Sequence, residues 1–296
     1  MKTELITDST KKDFLLFCKK HRNHLDDSYL SDKELELFCP EKEAAYVIRD
    51  SDNLIIGAVS LILDHDYIIT KKARFRIFFC EKSEQKIYQH LLDKIMNNLQ
   101  AGDYIYAFVK EEHIKLHESY KIIGFEIERY VFVLERDDLT LLPPIFPEDY
   151  SLKTFRFGRD ESIFCKVRNE GFKQLIGFTP MSPKTAAQMQ NWDDYLEDGI
   201  FLLYHKCEPI GVVRTGKDFF NGSHYATVNT LAIIPKYQGK GLGRQLLRTC
   251  LAYGKEKGLE KGFLCVNADN DQAAKLYEQE GFQKTESFVC YNFIKN

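Results

Sequence analysis

The sequence predicts an α/β layer fold present in two related copies. Three observations carry that expectation. Strand-like and helix-like patterns alternate through residues 150–296, with a strand–turn–helix at their centre. Landmarks of the second half recur in the first: Gly57, Leu91 and Gly124 stand 154, 155 and 157 residues before Gly211, Leu246 and Gly281. At roughly 150 residues per domain, a chain of 296 leaves room for two. Matches that stay in order and drift so little predict a tandem duplication.

Taken along the chain, Asn53 to Val59 resembles Cys207 to Val213, and Tyr120 to Phe125 resembles Tyr277 to Phe282. Residues 1–140 are therefore expected to form the first domain. Charged Glu135 to Asp138 then lead into Leu142 to Pro147, where three of the eight prolines fall. Consecutive prolines favour a stiff, extended connector that cannot join a sheet interior. This places a linker at 141–149 and a second domain at 150–296. Within it, helices are expected near 159–174 and 183–191, the latter with Ser182 as cap and Pro183 in its first turn. Strands 200–204 and 210–213 should pair around a turn at Glu208 and Pro209. A longer strand runs from His224 to Ile234. A helix follows from about Gly241 to Lys257, with Leu242, Gln245, Leu246, Thr249 and Cys250 at near-helical spacing, and Gly258 stops it. A buried strand at 263–266, a helix at 270–280 ended by Gly281, and a strand at 285–293 complete the order.

Composition narrows the function classes. With 44% hydrophobic and 29% charged residues, the chain has material for packed cores and is not a disordered segment. A net charge of −3 provides no polycation to track phosphates, so no nucleic-acid partner is expected. No segment approaches the roughly 18–20 continuous apolar residues of a bilayer span, and the N-terminus lacks a signal-peptide pattern. No membrane partner is expected. Eight cysteines lie far apart with no C-x-x-C pair, which suits reduced, mostly buried thiols in a cytoplasmic protein. His113 and His117 have metal-like spacing but lack an intervening Glu and a third ligand. They read as a solvated helix face, with no metal, and Trp192 reads as a single half-exposed tryptophan. The sequence carries no signal for oligomeric state.

The segment that carries chemistry runs from Leu231, Ala232 and Ile233 through Gln238, Gly239, Lys240, Gly241, Leu242, Gly243 and Arg244. Three glycines between a strand and a helix let the backbone turn sharply and expose consecutive N–H donors. The helix start adds its positive end, so the segment suits an anion such as a pyrophosphate, with Lys240 and Arg244 as formal charges. A Walker loop fails because Gly241 follows Lys240. The dinucleotide fingerprint fails because Arg244 stands where its third glycine belongs.

The spacing that fits, Gln238-x-x-Gly241-x-Gly243, resembles the pyrophosphate cradle of the GNAT acyltransferase superfamily, which binds acetyl-CoA. A second GNAT-like signature follows one strand later, in Asn270, Ala273, Leu276, Tyr277, Gly281 and Phe282. The resemblance covers essentially all of 150–296. It implies a tandem GNAT fold, each copy a mixed, mostly antiparallel sheet flanked by helices. It also implies acetyl-CoA as co-substrate and direct attack by a primary amine on the thioester. A backbone N–H around Ile233 would hold the carbonyl oxygen, and Tyr277 would protonate the leaving sulfur. A core tyrosine remains the alternative for Tyr277. Where one branch of the family has a glutamate base, this chain has Thr227 to Asn229. His224 or Glu170 are substitutes, and the base is unassigned. Acceptor contacts are expected from Arg168 through Phe178.

At the matching position the first copy reads from Cys80 to Tyr88 without a glycine and with Glu81 and Glu84 where diphosphate charge would lie. Like charge opposes binding there. The expected layout, a first copy without a cradle before an active second, is similar to that of tandem GNAT enzymes of the mycothiol synthase kind. A catalytically silent CoA-binding sensor or interaction module is the alternative from another class. Aminoacyl transfer from tRNA is a third, disfavoured by the near-neutral charge.

Overall fold

The computed structural model describes residues 2–25, 28–63, 65–82, 84–140 and 142–295. Ser83 in the first copy's altered loop and Leu141 at the start of the expected linker lie outside the described residues. The chain divides into two compact units, residues 1–130 with 287–296 and residues 131–286.

In unit 1, strands β1 (Lys2–Leu5), β2 (Ala45–Arg49), β3 (Ile55–Ile62) and β4 (Lys72–Cys80) pair antiparallel in sequence order. Helices α1 (Lys11–His21), α2 (Asp32–Glu36) and α3 (His65–Thr70) lie between them in the chain. Helix α4 (Gln85–Met96) returns the chain so that β5 (Tyr104–Lys110) runs parallel to β4. Helix α5 (Ile114–Ile122) follows, ended by Gly124 in the left-handed conformation. Side chains of α4 at Ile87, Tyr88, Leu91 and Leu92 are buried against the β3–β4 face. Gly57 on β3 makes that approach possible, because a Cβ there would sit 3.0 Å from Cys80 and 3.3 Å from Leu91.

Unit 2 repeats this plan. After β6 (Glu126–Arg136) and the proline-rich segment come β7 (Tyr150–Thr154), α6 (Glu161–Phe172) and α7 (Pro183–Ala187), capped by Ser182. Strands β8 (Tyr195–His205), β9 (Glu208–Phe220) and β10 (Ser223–Ile233) pair antiparallel, and α8 (Leu242–Glu256) leads to the parallel β11 (Lys261–Asn267). Helix α9 (Asp271–Gln279) and β12 (Gln283–Ile294) close the chain. Gly211 repeats the role of Gly57: a Cβ would meet Ile233 at 2.6 Å and Leu246 at 3.1 Å. Gly281 repeats Gly124 at the helix end, with φ of +85° against +94°. The landmarks read from sequence are thus packing devices of one duplicated fold.

Two expectations need correction. The β8–β9 turn lies at Lys206 and Cys207, where Lys206 takes φ +57°, and Glu208 already pairs with His205. Pro209 is tolerated because it sits near a strand start. The compact units also do not follow a linear cut at the prolines. Strand β11 pairs with residues 131–136 of β6, while β5 pairs with residues 288–294 of β12. Each unit is therefore completed by the terminal strand of the other half of the sequence. A strand's partner is set by long-range register, which local patterns do not encode.

No helix among the described residues is long and apolar enough to cross a membrane.

Candidate active site

The site begins where two strands part. Parallel pairing of β10 with β11 covers Tyr225–Thr227 against Lys261–Phe263 and ends there, although the strands run on to Ile233 and Asn267. Beyond Thr227 the facing backbone edges are without each other as partners. Such groups need another donor or acceptor, which a ligand lying between the strands would supply. Leu231, Ala232 and Ile233 form the β10 side of this opening.

The glycine cradle lies at its end. Pro235–Tyr237 form one 3₁₀ turn, Gly239 takes φ +73° and Gly241 takes φ +78°. Both positions are open, with nothing within 4 Å of an added Cβ, so backbone conformation rather than crowding demands glycine. Gly241 is also the cap of α8, and no side chain bonds to the first turn. The N–H groups of Leu242, Gly243 and Arg244 therefore point outward at the positive end of a 15-residue helix. Gly243 differs: a Cβ there would make ordinary contacts of 3.7 and 3.8 Å with Leu231 and Leu276.

The side chains around the cradle divide by role. Gln238 donates from Nε2 to the Ile233 carbonyl at 2.8 Å, tying the loop to the strand. Lys240 is exposed, with its ammonium 4.9 Å from the Tyr237 ring centre. Arg244 is drawn toward α9: its Nε lies 3.2 Å from Glu280, and it also bonds Gln279. Arg248 grips the same buried Glu280 through two 2.8 Å bonds. This arrangement ties α8 to α9, while Lys240 stays exposed at the loop. Asn270 caps α9, its Oδ1 accepting from the Ala273 N–H at 3.2 Å, so both residues shape that helix start.

Tyr277 on α9 is 8% exposed, and its hydroxyl makes no hydrogen bond among the described residues. Burial pushes its pKa up to about 12, with the Cys250 thiol adding in the same direction, so it holds its proton at neutral pH.

Helix α6 reaches the other face of β10. Gly171 allows this, since a Cβ would lie 3.0 Å from Ala232 and 3.1 Å from the Ile233 carbonyl. Asn169 then clamps the following loop through reciprocal 2.9 Å bonds with the Met181 backbone. Across the opening, Asn267 of β11 donates to the Ile176 carbonyl at 3.1 Å. The segment from Arg168 to Phe178 is thereby attached to both strands. Glu170 is half-buried in this segment. His224 stands nine residues before Ile233, roughly 30 Å along an extended strand, and packs on Phe219 instead.

The matching region of unit 1 is built differently. Strands β4 and β5 also part early, after Arg74 against Tyr106. Here the end of β4 meets tyrosines of its own unit. Tyr88 accepts the Cys80 N–H at 3.1 Å, and Tyr120 donates to the Phe78 carbonyl at 3.0 Å. The β3–β4 register sets Gly57 opposite Cys80 as β9–β10 sets Gly211 opposite Ile233, so Phe78 corresponds to Leu231. The connection between strand and helix is four residues, 81–84, against eight, 234–241. Its loss of glycine was legible; its shortening follows only from the strand and helix ends.

Three other residue groups find structural uses. His117 is buried rather than solvated, with Nδ1 2.9 Å from the Tyr291 hydroxyl and Nε2 3.0 Å from the Lys110 carbonyl. With both ring nitrogens engaged, it is a core residue. Among the described residues no group of three His, Cys, Asp or Glu comes together to hold a metal ion. All eight cysteines are free thiols. Five are buried, while Cys265, expected in a buried strand, is exposed because β11 alternates its faces. Trp192 is 37% exposed and lies 4.8 Å from the Arg214 guanidinium.

A paired GNAT-type fold with one glycine cradle is the class these features define. Residues 148–282 match the Acetyltransferase (GNAT) family model, and the chain is similar in sequence to mycothiol acetyltransferases and in fold to a solved tandem GNAT protein. That of Amycolatopsis mediterranei is 31% identical over 177 residues, 57% of this chain and 58% of the relative. That of Renibacterium salmoninarum is 26% identical over 249 residues, 80% and 72%. The chain spans about half the length of several curated relatives it matches, 53% and 50% in two cases. Among solved structures, a tandem GNAT protein from the clavulanic acid biosynthesis pathway aligns with a TM-score of 0.70 at 15% identity, covering 99% of this chain and 98% of that one. A GCN5-related N-acetyltransferase from Sphaerobacter thermophilus aligns with a TM-score of 0.70 at 13% identity, covering 99% and 95%. At such identities the likeness is one of fold.

Proposed function

We propose that this chain is an acetyl-CoA-dependent N-acetyltransferase that acts on a primary amine of a small molecule, with a single active site in unit 2. The observation that carries the reading is a succession of four features on neighbouring elements of unit 2. Open positive-φ glycines and an uncapped helix start lie at the end of an unpaired strand edge. A protonated tyrosine whose hydroxyl makes no hydrogen bond among the described residues stands on the next helix. These residues fit acetyl-CoA. The N–H groups at 242–244 and Lys240 would hold the diphosphate. The free edge of Leu231, Ala232 and Ile233 would bond the amide-bearing arm and orient the carbonyl oxygen.

Acetyl-CoA supplies an activated acetyl thioester. Tyr277 keeps its proton until the sulfur needs it, which its raised pKa permits. Residues 168–178 bridge the opening and would line its acceptor side. The name shared by the curated relatives, mycothiol acetyltransferase, supports a small-molecule acceptor.

Free-thiol release from acetyl-CoA across a panel of primary amines tests the reading, together with calorimetric titration of acetyl-CoA. Amine-dependent thiol release and one bound acetyl-CoA per chain are expected. Binding without thiol release would replace the enzyme by a CoA-binding sensor. Two molecules bound per chain would overturn the single-site assignment and with it the first copy as a domain without a cradle.

A further inference from the structure

The opening between β10 and β11 starts beside a polar cluster that the acetyl-CoA reading leaves without a task. The β9–β10 ladder shifts between Val228 and Thr230, and Asn229 is the extra residue of that bulge, exposed at the surface. Its amide is held on two sides. Nδ2 donates 2.7 Å to the Asp194 carboxylate and 2.8 Å to the Thr227 hydroxyl. A carboxylate only accepts, so the group facing Asp194 is the NH₂ and the amide orientation is fixed. Both N–H groups are thereby used, and the Asn229 carbonyl oxygen takes no hydrogen bond among the described residues.

The cluster has a foundation. Asp194 also pairs with Arg214, whose guanidinium is buried and stacks on Trp192. Gly216 lies opposite Thr227 in the ladder. A Cβ there would fall 2.3 Å from Asn229 Nδ2 and 2.5 Å from Thr227 Oγ1, so the missing side chain makes the space in which the amide sits. Asn229 stands two residues before Leu231, about 7 Å along the strand.

We propose that Asn229 is the residue that receives the acceptor: its carbonyl oxygen accepts an N–H of the incoming primary amine and holds it at the mouth of the strand opening. Asp194 and Thr227 are positioning residues that act through it. This inference rests on the acetyltransferase reading. It assigns the acceptor side of that site, and selects acceptors that present a hydrogen-bond donor.

The test is steady-state kinetics of the full chain with acetyl-CoA and a panel containing benzylamine, glucosamine and ethanolamine, read by thiol release. Asn229→Ala should raise KM for the amine about tenfold, the worth of one hydrogen bond, and leave KM for acetyl-CoA unchanged. Thr227→Val, nearly isosteric, frees one N–H of the amide and should raise the amine KM about threefold. Gly216→Ala should act like Asn229→Ala by displacing the amide. An unchanged amine KM in Asn229→Ala overturns the inference and leaves the acetyltransferase reading intact. Equal changes in both KM values also overturn it, since they mark a merely structural role. Wild-type protein that releases no thiol with any amine overturns the acetyltransferase reading and this inference together.

Discussion

Two tyrosines at corresponding places in the duplicated fold have opposite fates. Tyr120 of unit 1 is fully buried and donates to the Phe78 carbonyl, and burial lifts its pKa well above the usual range. Tyr277 of unit 2 has the same helix position and the same glycine ending, but its hydroxyl makes no hydrogen bond among the described residues. In unit 1 the strand edge is bonded by Tyr88 and Tyr120; in unit 2 no tyrosine hydroxyl bonds the corresponding backbone among the described residues. The difference teaches that a short connection and a bonded strand end go together. Where the connection is short and lacks glycine, the strand end finds its hydrogen-bond partners in the side chains of Tyr88 and Tyr120.

That contrast can be broken most sharply at the tyrosines. Tyr277→Phe is expected to lower kcat by about a hundredfold, the scale of a lost general acid, with little change in thermal midpoint. Tyr120→Phe should leave kcat unchanged and destabilise the fold by about 1 kcal/mol, read by chemical denaturation, because it leaves a buried carbonyl unpaired. Reversal of the two phenotypes would refute the assignment of activity to unit 2. The glycines sharpen the comparison at smaller amplitude. Gly241→Ala places a side chain at φ +78°, a strain of about 1 kcal/mol or more that should weaken acetyl-CoA binding about tenfold in calorimetry. Gly243→Ala should bind as wild type, since its Cβ has room.

Alkaline pH gives the smallest signal. Burial raises the pKa of Tyr277 and Tyr291 to about 12 each, against an unfolded value near 10. The folded chain therefore holds protons that the unfolded chain releases. Stability from this source is fully present below pH 10 and is lost as pH rises toward 12. Denaturation midpoints followed from pH 9 upward should fall, while kcat should show no loss through Tyr277 before pH 10.

The sequence carried the plan of unit 2 well, and the reasons are local. Gly239 and Gly241 need positive φ, Ser182 and Asn270 cap helices, and Gly281 ends one; each signal lies within a few residues of its effect. The register of Gly57 with Gly211 was legible because both pack a leucine of the following helix against a sheet. The Asn229 cluster was hidden, since Asp194, Gly216 and Asn229 meet only once a bulge and two strand registers are set. Gly171 inside a helix was a signal for close approach to β10, but sequence alone does not name the strand approached. His117 misled because its partner Tyr291 lies 174 residues away.

The exchange of terminal strands has a consequence for the history of the molecule. A duplicated gene ordinarily lets one copy decay and disappear. Here deletion of the first half would remove residues 131–136 from the sheet that carries the cradle and strand residues 288–294 of the last strand without β5. The two copies are thus inherited together, and recombination that cuts at the prolines would break both.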